Sequence, residues 1–151
     1  MSILQMEIPG ARVLDLFAGT GALGLEALSR GAERAEFVEN DARSVRALRE
    51  NIRSLGADGR CAVHRADAMA FASRLASALP GAARADGAVA PYTICFADPP
   101  YRQGLAAQLA SLWLAARFSA IFGVEHASTE SLPDGGDRRR YGDTAITIYR
   151  T

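Results

Sequence analysis

The chain has 151 residues, 49% hydrophobic and 23% charged, which is typical of one globular domain with a sizeable core. Its 17 basic residues, all arginine, balance 17 acidic ones, so the net charge of zero argues against non-specific wrapping in nucleic acid and leaves room for a local basic face. No apolar run approaches the roughly 20 residues that span a bilayer, and no signal peptide is visible. The sequence therefore predicts a cytoplasmic protein with no membrane partner.

Strand and helix patterns alternate along the chain. A helix follows the first strand and stops at Gly31, a second runs from Asp41 to Leu55 with Asn40 or Asp41 as its cap, and Asp67 can cap a third. A fourth helix is predicted at about 105–117, and residues 80–91 are predicted to form a flexible surface loop. Strands are predicted at 11–17, 34–39, 61–66, 92–98 and 119–127, with two more segments over 138–150.

This alternation indicates an α/β fold, a single Rossmann-like domain over residues 1–151. Apolar strands between helices predict a mostly parallel sheet covered on both faces, seven-stranded once an antiparallel C-terminal hairpin is added. Cys61 and Cys95 fall inside strand patterns, which favours small buried side chains over a disulfide or a metal site. No metal is predicted.

The first strand is followed by Gly19-Thr20-Gly21-Ala22-Leu23-Gly24, a G-x-G-x-x-G spacing. In a strand–turn–helix unit this spacing lets the backbone approach a nucleotide-like ligand closely. The motif alone is weak, because dinucleotide-binding proteins and other nucleoside-binding proteins both use it.

Acidic residues at the strand ends separate these possibilities. Asp15, Glu39, Asp67 and Asp98 each lie at the carboxyl end of a predicted parallel strand, where ligands bind in open α/β sheets. A dinucleotide site needs only the second of these, for the ribose. An S-adenosylmethionine site would use three of them. Asp15 would contact the ammonium group, Glu39 would accept hydrogen bonds from both ribose hydroxyls, and Asp67 would accept one from the adenine amine. Asp15 could instead cap the glycine turn, and Asp67 could be no more than a helix cap.

Several segments resemble a known family. "VLDLFAGTGALGLEALSRGA", "FVEND", "RADA", "ADPPY" and "RRYGDTAITIYR" are similar to the class I methyltransferases that modify guanine N2 in bacterial small-subunit ribosomal RNA. The glycine segment is shared by class I methyltransferases in general, whereas Asp98-Pro99-Pro100-Tyr101 narrows the target to an exocyclic or amide nitrogen. Members usually carry a longer N-terminal segment than the short remnant at 1–10, so the resemblance predicts that the chain as given binds RNA weakly.

The Asp-Pro-Pro-Tyr segment suits this chemistry. An exocyclic amine is a poor nucleophile, because its lone pair is delocalised into the ring. The Asp98 carboxylate and, by resemblance, the Pro99 carbonyl would accept hydrogen bonds from its N–H groups. The Tyr101 ring would stack on the target base once that base has left its own stack. Prolines suit this strand end because they fix φ and bring no competing N–H.

The resemblance implies S-adenosylmethionine as cofactor, S-adenosylhomocysteine as product, and ribosomal RNA or the small ribosomal subunit as partner of a monomer. Two alternatives stay open: an amino methyltransferase for adenine N6 or protein glutamine, and a non-catalytic cofactor-binding module. The catalytic residues implied are Asp98, Pro99, Pro100 and Tyr101. RNA contacts are expected at Arg102, Arg138, Arg139 and Arg140. Cofactor contacts are expected at Asp15, Phe17, Ala18, Gly19, Thr20, Gly21, Glu39, Asn40, Asp67 and Ala68.

Overall fold

A computed structural model describes residues 2–79 and 89–151. Most of the predicted 80–91 loop lies outside the described residues. The strands are β1 (Arg12–Leu16), β2 (Arg34–Glu39), β3 (Cys61–Arg65), β4 (Tyr92–Ala97), β5 (Ser119–Ala127), β6 (Asp137–Tyr141) and β7 (Thr144–Arg150). The helices are α1 (Ala22–Ser29), α2 (Ala42–Ser54), α3 (Ala68–Ala78) and α4 (Leu105–Ala116), with short 3-10 turns at Ser2–Leu4 and Asp58–Arg60.

Over these residues the strands form one seven-stranded sheet in the order β3-β2-β1-β4-β5-β7-β6. The first five strands are parallel, and β7 is antiparallel to both of its neighbours, β5 and β6. The predicted α/β fold with an antiparallel C-terminal hairpin is confirmed. The second strand of the hairpin, β7, lies between β5 and the first strand of the hairpin, so β6 is the outermost strand on that side of the sheet.

The helices cover the sheet on both faces, as predicted. On what we call the α1 face, Leu25 of α1 and Leu48 of α2 pack against Val13 and Phe37. On the α3 face, Ala72 of α3 and Trp113 of α4 pack with strand residues such as Leu14, Phe122 and Tyr149. Trp113 is fully buried, and its indole N–H is satisfied by the Ser119 hydroxyl at 2.9 Å.

Local sequence features fix where the helices start. The Asp41 carboxylate accepts the Ser44 N–H at 2.9 Å and caps α2, so Asp41 rather than Asn40 is the cap.

Two glycines have conformational or packing roles around α1. Gly31, the predicted end of the first helix, adopts φ +101. Gly24 lies where α1 crosses β2, and a Cβ there would come within 2.3 Å of the buried Phe37 ring. The third glycine of the motif therefore permits close packing of helix on strand.

Both cysteines are free. Cys95 is buried in β4, as predicted, whereas Cys61 is only partly buried, because it lies at the start of the edge strand β3. In the part of the chain that the structure describes, no helix has the length and apolar character needed to span a bilayer.

Candidate active site at the strand switch point

The sheet reverses its winding between β1 and β4. After β1 the chain moves outward through β2 and β3, then returns to place β4 on the other side of β1. In open α/β sheets, ligands bind in the crevice at the carboxyl ends of the strands at such a switch point. A cleft of about 520 Å³ lies there. Its lining consists of Phe17, Glu39, Asp98, Pro99, Pro100, Tyr101 and Glu125.

The glycine loop forms one wall of this crevice. Phe17 leaves β1 with φ +58, a left-handed conformation that is strained for a bulky side chain. The next residues make a tight turn in which the Gly21 N–H donates to the Ala18 carbonyl at 2.9 Å. Gly19 has φ +56 and open space where a Cβ would lie, so a ligand can approach its backbone there.

Glu39 ties the glycine loop to α2. Its Oε1 accepts the Gly19 N–H and its Oε2 accepts the Asp41 N–H, each at 2.8 Å. Each carboxylate oxygen accepts one of these bonds and keeps a lone pair, because an ionised carboxylate offers about four acceptor sites. Glu39 can therefore hold the loop and still accept hydrogen bonds from a ligand in the cleft.

A second fastening of the loop comes from Asn51 on α2. Its Nδ2 donates to the Thr20 carbonyl at 3.0 Å. The sequence analysis missed this residue, since an asparagine in the last turn of an amphipathic helix carries no signal for a contact 31 positions away.

Asp15 lies deeper than the other acids. It is 1% exposed, and its Oδ2 accepts the Gly24 N–H from the first turn of α1 at 3.0 Å. Burial, chiefly, raises the pKa of Asp15 to about 7, with smaller contributions from the nearby carboxylates of Asp98 and Glu39, while the bond from Gly24 opposes the shift. A cationic group entering the crevice would favour the charged form of this carboxylate.

Asp67 serves as the N-cap of α3. Its Oδ1 accepts the Ala70 N–H at 2.9 Å, and the residue is exposed just beyond the end of β3. The capping role considered in the sequence analysis is therefore present. A carboxylate that accepts one hydrogen bond keeps further acceptor positions, so the cap leaves room for a second role. Ala68, next along the chain, is buried, and Asn40 follows Glu39 at the end of β2.

The Asp98–Tyr101 segment follows β4 on the other wall of the cleft. Pro99 is buried, whereas Asp98 and Pro100 are exposed. The Tyr101 hydroxyl donates to Glu125 Oε1 at 2.9 Å and lies 3.0 Å from Thr144 Oγ1. Two strands of the sheet therefore fix the direction of this ring. Partial desolvation and, next, the negative charge of Glu125 raise the pKa of Asp98 above its ordinary value.

Comparison with known proteins identifies the family. The family model described as "Conserved hypothetical protein 95" matches residues 1–150. A Bacillus subtilis protein named "Putative rRNA methyltransferase YlbH" is 33% identical over 150 residues, covering 93% of this chain and 76% of the relative. The chain therefore belongs to the family that this model describes. The Escherichia coli protein named "Ribosomal RNA small subunit methyltransferase D" is 37% identical over 131 residues, covering 83% of this chain and 58% of the relative.

A solved structure agrees with this assignment. The Escherichia coli protein titled "Putative methyltransferase yhhF" superposes with a TM-score of 0.78 at 31% identity, covering 99% of this chain and 80% of that chain. The resemblance to the ribosomal RNA methyltransferase family predicted from the sequence is confirmed, and so is the expected methyltransferase fold. The match spans about 58% of the Escherichia coli relative's length.

The arginines predicted to contact RNA do not form one patch. Strand alternation places Arg138 and Arg140 on the α3 face, opposite Thr147 and Ala145, and Arg139 on the α1 face, opposite Ile146. The Arg138 guanidinium donates to the carbonyls of Ser128 and Glu130, and Arg140 Nε donates to the Gly142 carbonyl at 2.9 Å. Arg102 has φ +66, and its N–H donates to Glu130 Oε1 at 3.0 Å.

Replacing Asp15 by asparagine should change how stability depends on pH. Between the ordinary value of 3.8 and about 7, folded Asp15 holds a proton that the unfolded chain has released, so its contribution to stability falls as pH rises through this range. The asparagine side chain cannot ionise, and its amide oxygen can still accept the Gly24 N–H. We expect Asp15→Asn to be the more stable protein above pH 7, by at most about 4 kcal/mol, with little difference near pH 4.

Urea unfolding of both proteins across this pH range measures the difference. A constant difference at all pH values would show that the pKa of Asp15 is not raised by folding.

Proposed function

We propose that this chain transfers a methyl group from S-adenosylmethionine to the exocyclic N2 of a guanine in small-subunit ribosomal RNA. One observation carries the proposal: the carboxylates of Glu39 and Asp98 and the ring of Tyr101 line a single cleft at the strand switch point. The first suits a ribose, and the other two suit an amino group on an aromatic base. The names of the curated relatives support ribosomal RNA as the acceptor.

The residues of the glycine-loop wall fit the cofactor. S-adenosylmethionine, when bound, supplies a methyl group already activated on a positively charged sulfur. Glu39 has acceptor positions left for the two ribose hydroxyls, and the open side of Gly19 allows a close backbone approach without any phosphate. Asp15 would meet the ammonium group, directly or through water, and Asp67 would accept from the adenine amine. Phe17, Ala18, Thr20, Gly21, Asn40 and Ala68 complete the proposed contacts.

Asp98 and Pro99 act on the amine. The Asp98 carboxylate and the Pro99 carbonyl would each accept a hydrogen bond from one of its two N–H groups. These bonds favour a more pyramidal nitrogen with an available lone pair, and they stabilise the positive charge that develops on it. Asp98 must be ionised to do this. The proton lost from the nitrogen can pass to the carboxylate or to water.

Tyr101 positions the base. Its hydroxyl is held by Glu125 and Thr144, so the ring is oriented before a base arrives. An unstacked base lying on such a ring gains roughly 1–3 kcal/mol. Because the hydroxyl is part of the anchoring, Tyr101→Phe should keep the stacking surface but loosen its orientation.

The proposed acceptor is tested by offering several amines to the same enzyme. We expect labelled methyl transfer to small ribosomal subunits that lack the modification, with the label mapping to guanine N2. Asp98→Asn should lower transfer by about 100-fold or more, with little change in S-adenosylhomocysteine affinity, because Asp98 acts mainly in the transition state. Transfer to adenine N6 of DNA or to protein glutamine would favour a different amino methyltransferase. Cofactor binding without transfer to any acceptor would favour a non-catalytic module.

The pH profile of the same reaction tests the state of Asp98. Because the pKa of Asp98 is raised, it becomes protonated at a higher pH than an ordinary aspartate does. As the pH decreases, activity should therefore begin to fall at a correspondingly higher pH. Glu125→Gln removes the neighbouring negative charge and keeps an oxygen that can accept the Tyr101 hydroxyl. We expect this variant to shift the acidic limb of kcat to lower pH. An acidic limb that does not move would argue against coupling between these two carboxylates.

The proposed role of Glu39 in ligand binding can be separated from its role in holding the glycine loop. Glu39→Ala removes the proposed ribose acceptor and also one fastening of the glycine loop, whereas Asn51→Ala removes the other fastening and no proposed ligand contact. Calorimetry with S-adenosylhomocysteine should show a loss of roughly 1–3 kcal/mol for Glu39→Ala and a smaller one for Asn51→Ala. Equal losses would mean that Glu39 acts only by holding the loop.

A further inference from the structure

Two tyrosines expose their rings on the same side of the molecule. Among the described aromatic residues, Tyr101 at 37% and Tyr141 at 53% are the exposed ones. Tyr101 belongs to the proposed catalytic segment. Tyr141 ends β6 and has no part in the site as described so far.

The two rings are linked through one residue. Thr144 Oγ1 lies 3.0 Å from the Tyr101 hydroxyl, and Thr144 is the direct cross-strand partner of Tyr141 in the β6–β7 ladder. Partners in antiparallel strands point to the same face, with Cβ atoms about 5 Å apart. Glu125 lies two strands from β6 and two residues along the ladder from the level of Tyr141, which corresponds to about 12 Å at the usual strand spacing and rise. The Tyr141 ring therefore lies beside the anchor of Tyr101, on the α1 face.

Arg139 extends this surface. It lies two residues before Tyr141 on the same face of β6, and its ion pair with Asp137, at 3.3 Å, is about half exposed at both side chains. Such a surface pair is weak, so an incoming phosphate can replace the carboxylate. We call Tyr141 and Arg139 the β6 stripe.

Pairing of β6 with another sheet does not account for the stripe. All five residues of this outermost strand are exposed, and three of them are arginines. Charged side chains on an edge strand disfavour strand addition from a second protein. A ring next to a cation is instead the combination that binds single-stranded RNA, through base stacking and phosphate contact.

We propose, resting on the function proposed above, that Tyr141 stacks on a nucleotide neighbouring the target guanine and that Arg139 contacts the adjoining phosphate. When the target base leaves its stack to reach Asp98, its neighbour loses a stacking partner. A residue about 12 Å from Glu125 is within about four stacked nucleotides at about 3.4 Å each. The β6 stripe therefore extends the RNA contact beyond the cleft.

Steady-state transfer to unmodified small subunits tests this with matched variants. Tyr141→Ala should raise KM for the subunit by about fivefold or more, the loss expected for one base–aromatic stack, with kcat at saturating subunit and S-adenosylhomocysteine affinity unchanged. Tyr141→Phe keeps the ring and should behave as the parent. Leu55→Ala, an exposed apolar side chain at the end of α2, controls for loss of any exposed hydrophobic group. An unchanged KM, or a lower kcat with unchanged KM, would overturn the proposal.

Crosslinking separates this proposal from the function on which it rests. Small-subunit RNA containing 4-thiouridine, irradiated with the enzyme, should yield an adduct on the peptide that contains Tyr141, and Tyr141→Ala should lose it. If the parent protein transfers no methyl to RNA but this adduct forms, the proposed reaction fails and the RNA contact stands. If methyl transfer occurs and the adduct is absent, the stacking role is wrong.

Discussion

The carboxylate of Glu39 joins the parts on which the site depends. It ends β2, next to the strand that feeds the glycine loop, and takes one backbone N–H from that loop and another from the start of α2. Loss of the bond to the loop would leave a partly buried N–H without this partner, which is costly. The same side chain that defines the loop therefore also faces the proposed ligand. In this arrangement, the shape of the site and its chemistry cannot be varied independently.

Stability and ligand binding pull in opposite directions at two positions. Asp15 is a buried carboxylate whose ionisation the fold disfavours, and Phe17 holds a backbone conformation that a bulky residue rarely adopts. Neither would be selected for packing alone. Both lie at the carboxyl end of β1, where the switch point places a ligand, which is where such costs are expected in a functional protein.

The sequence was sufficient for the fold and for most of the cleft, because both rest on local patterns. Apolar strands, glycines at turn positions and acids at strand ends are visible without the structure, and parallel strands bring their ends together automatically. Contacts between distant side chains were not predictable in this way. The bond from Asn51 to Thr20 and the anchoring of Tyr101 by Thr144 depend on how helices and strands pack. The arginine run at 138–140 is one cationic cluster in the sequence, and the register with β7 shows which of its residues lies on which face of the sheet.

The position of β7 between β5 and β6 makes the geometry of the cleft depend on the last strand of the sequence. The glycine loop, Glu39 and Asp98 all precede β5, whereas Thr144 opens β7. Thr144 does not line the cleft, yet it is one of the two groups that hold the Tyr101 hydroxyl. A change that disturbs the pairing of β7 with β5 would therefore alter the orientation of Tyr101, although it removes none of the residues that line the cleft.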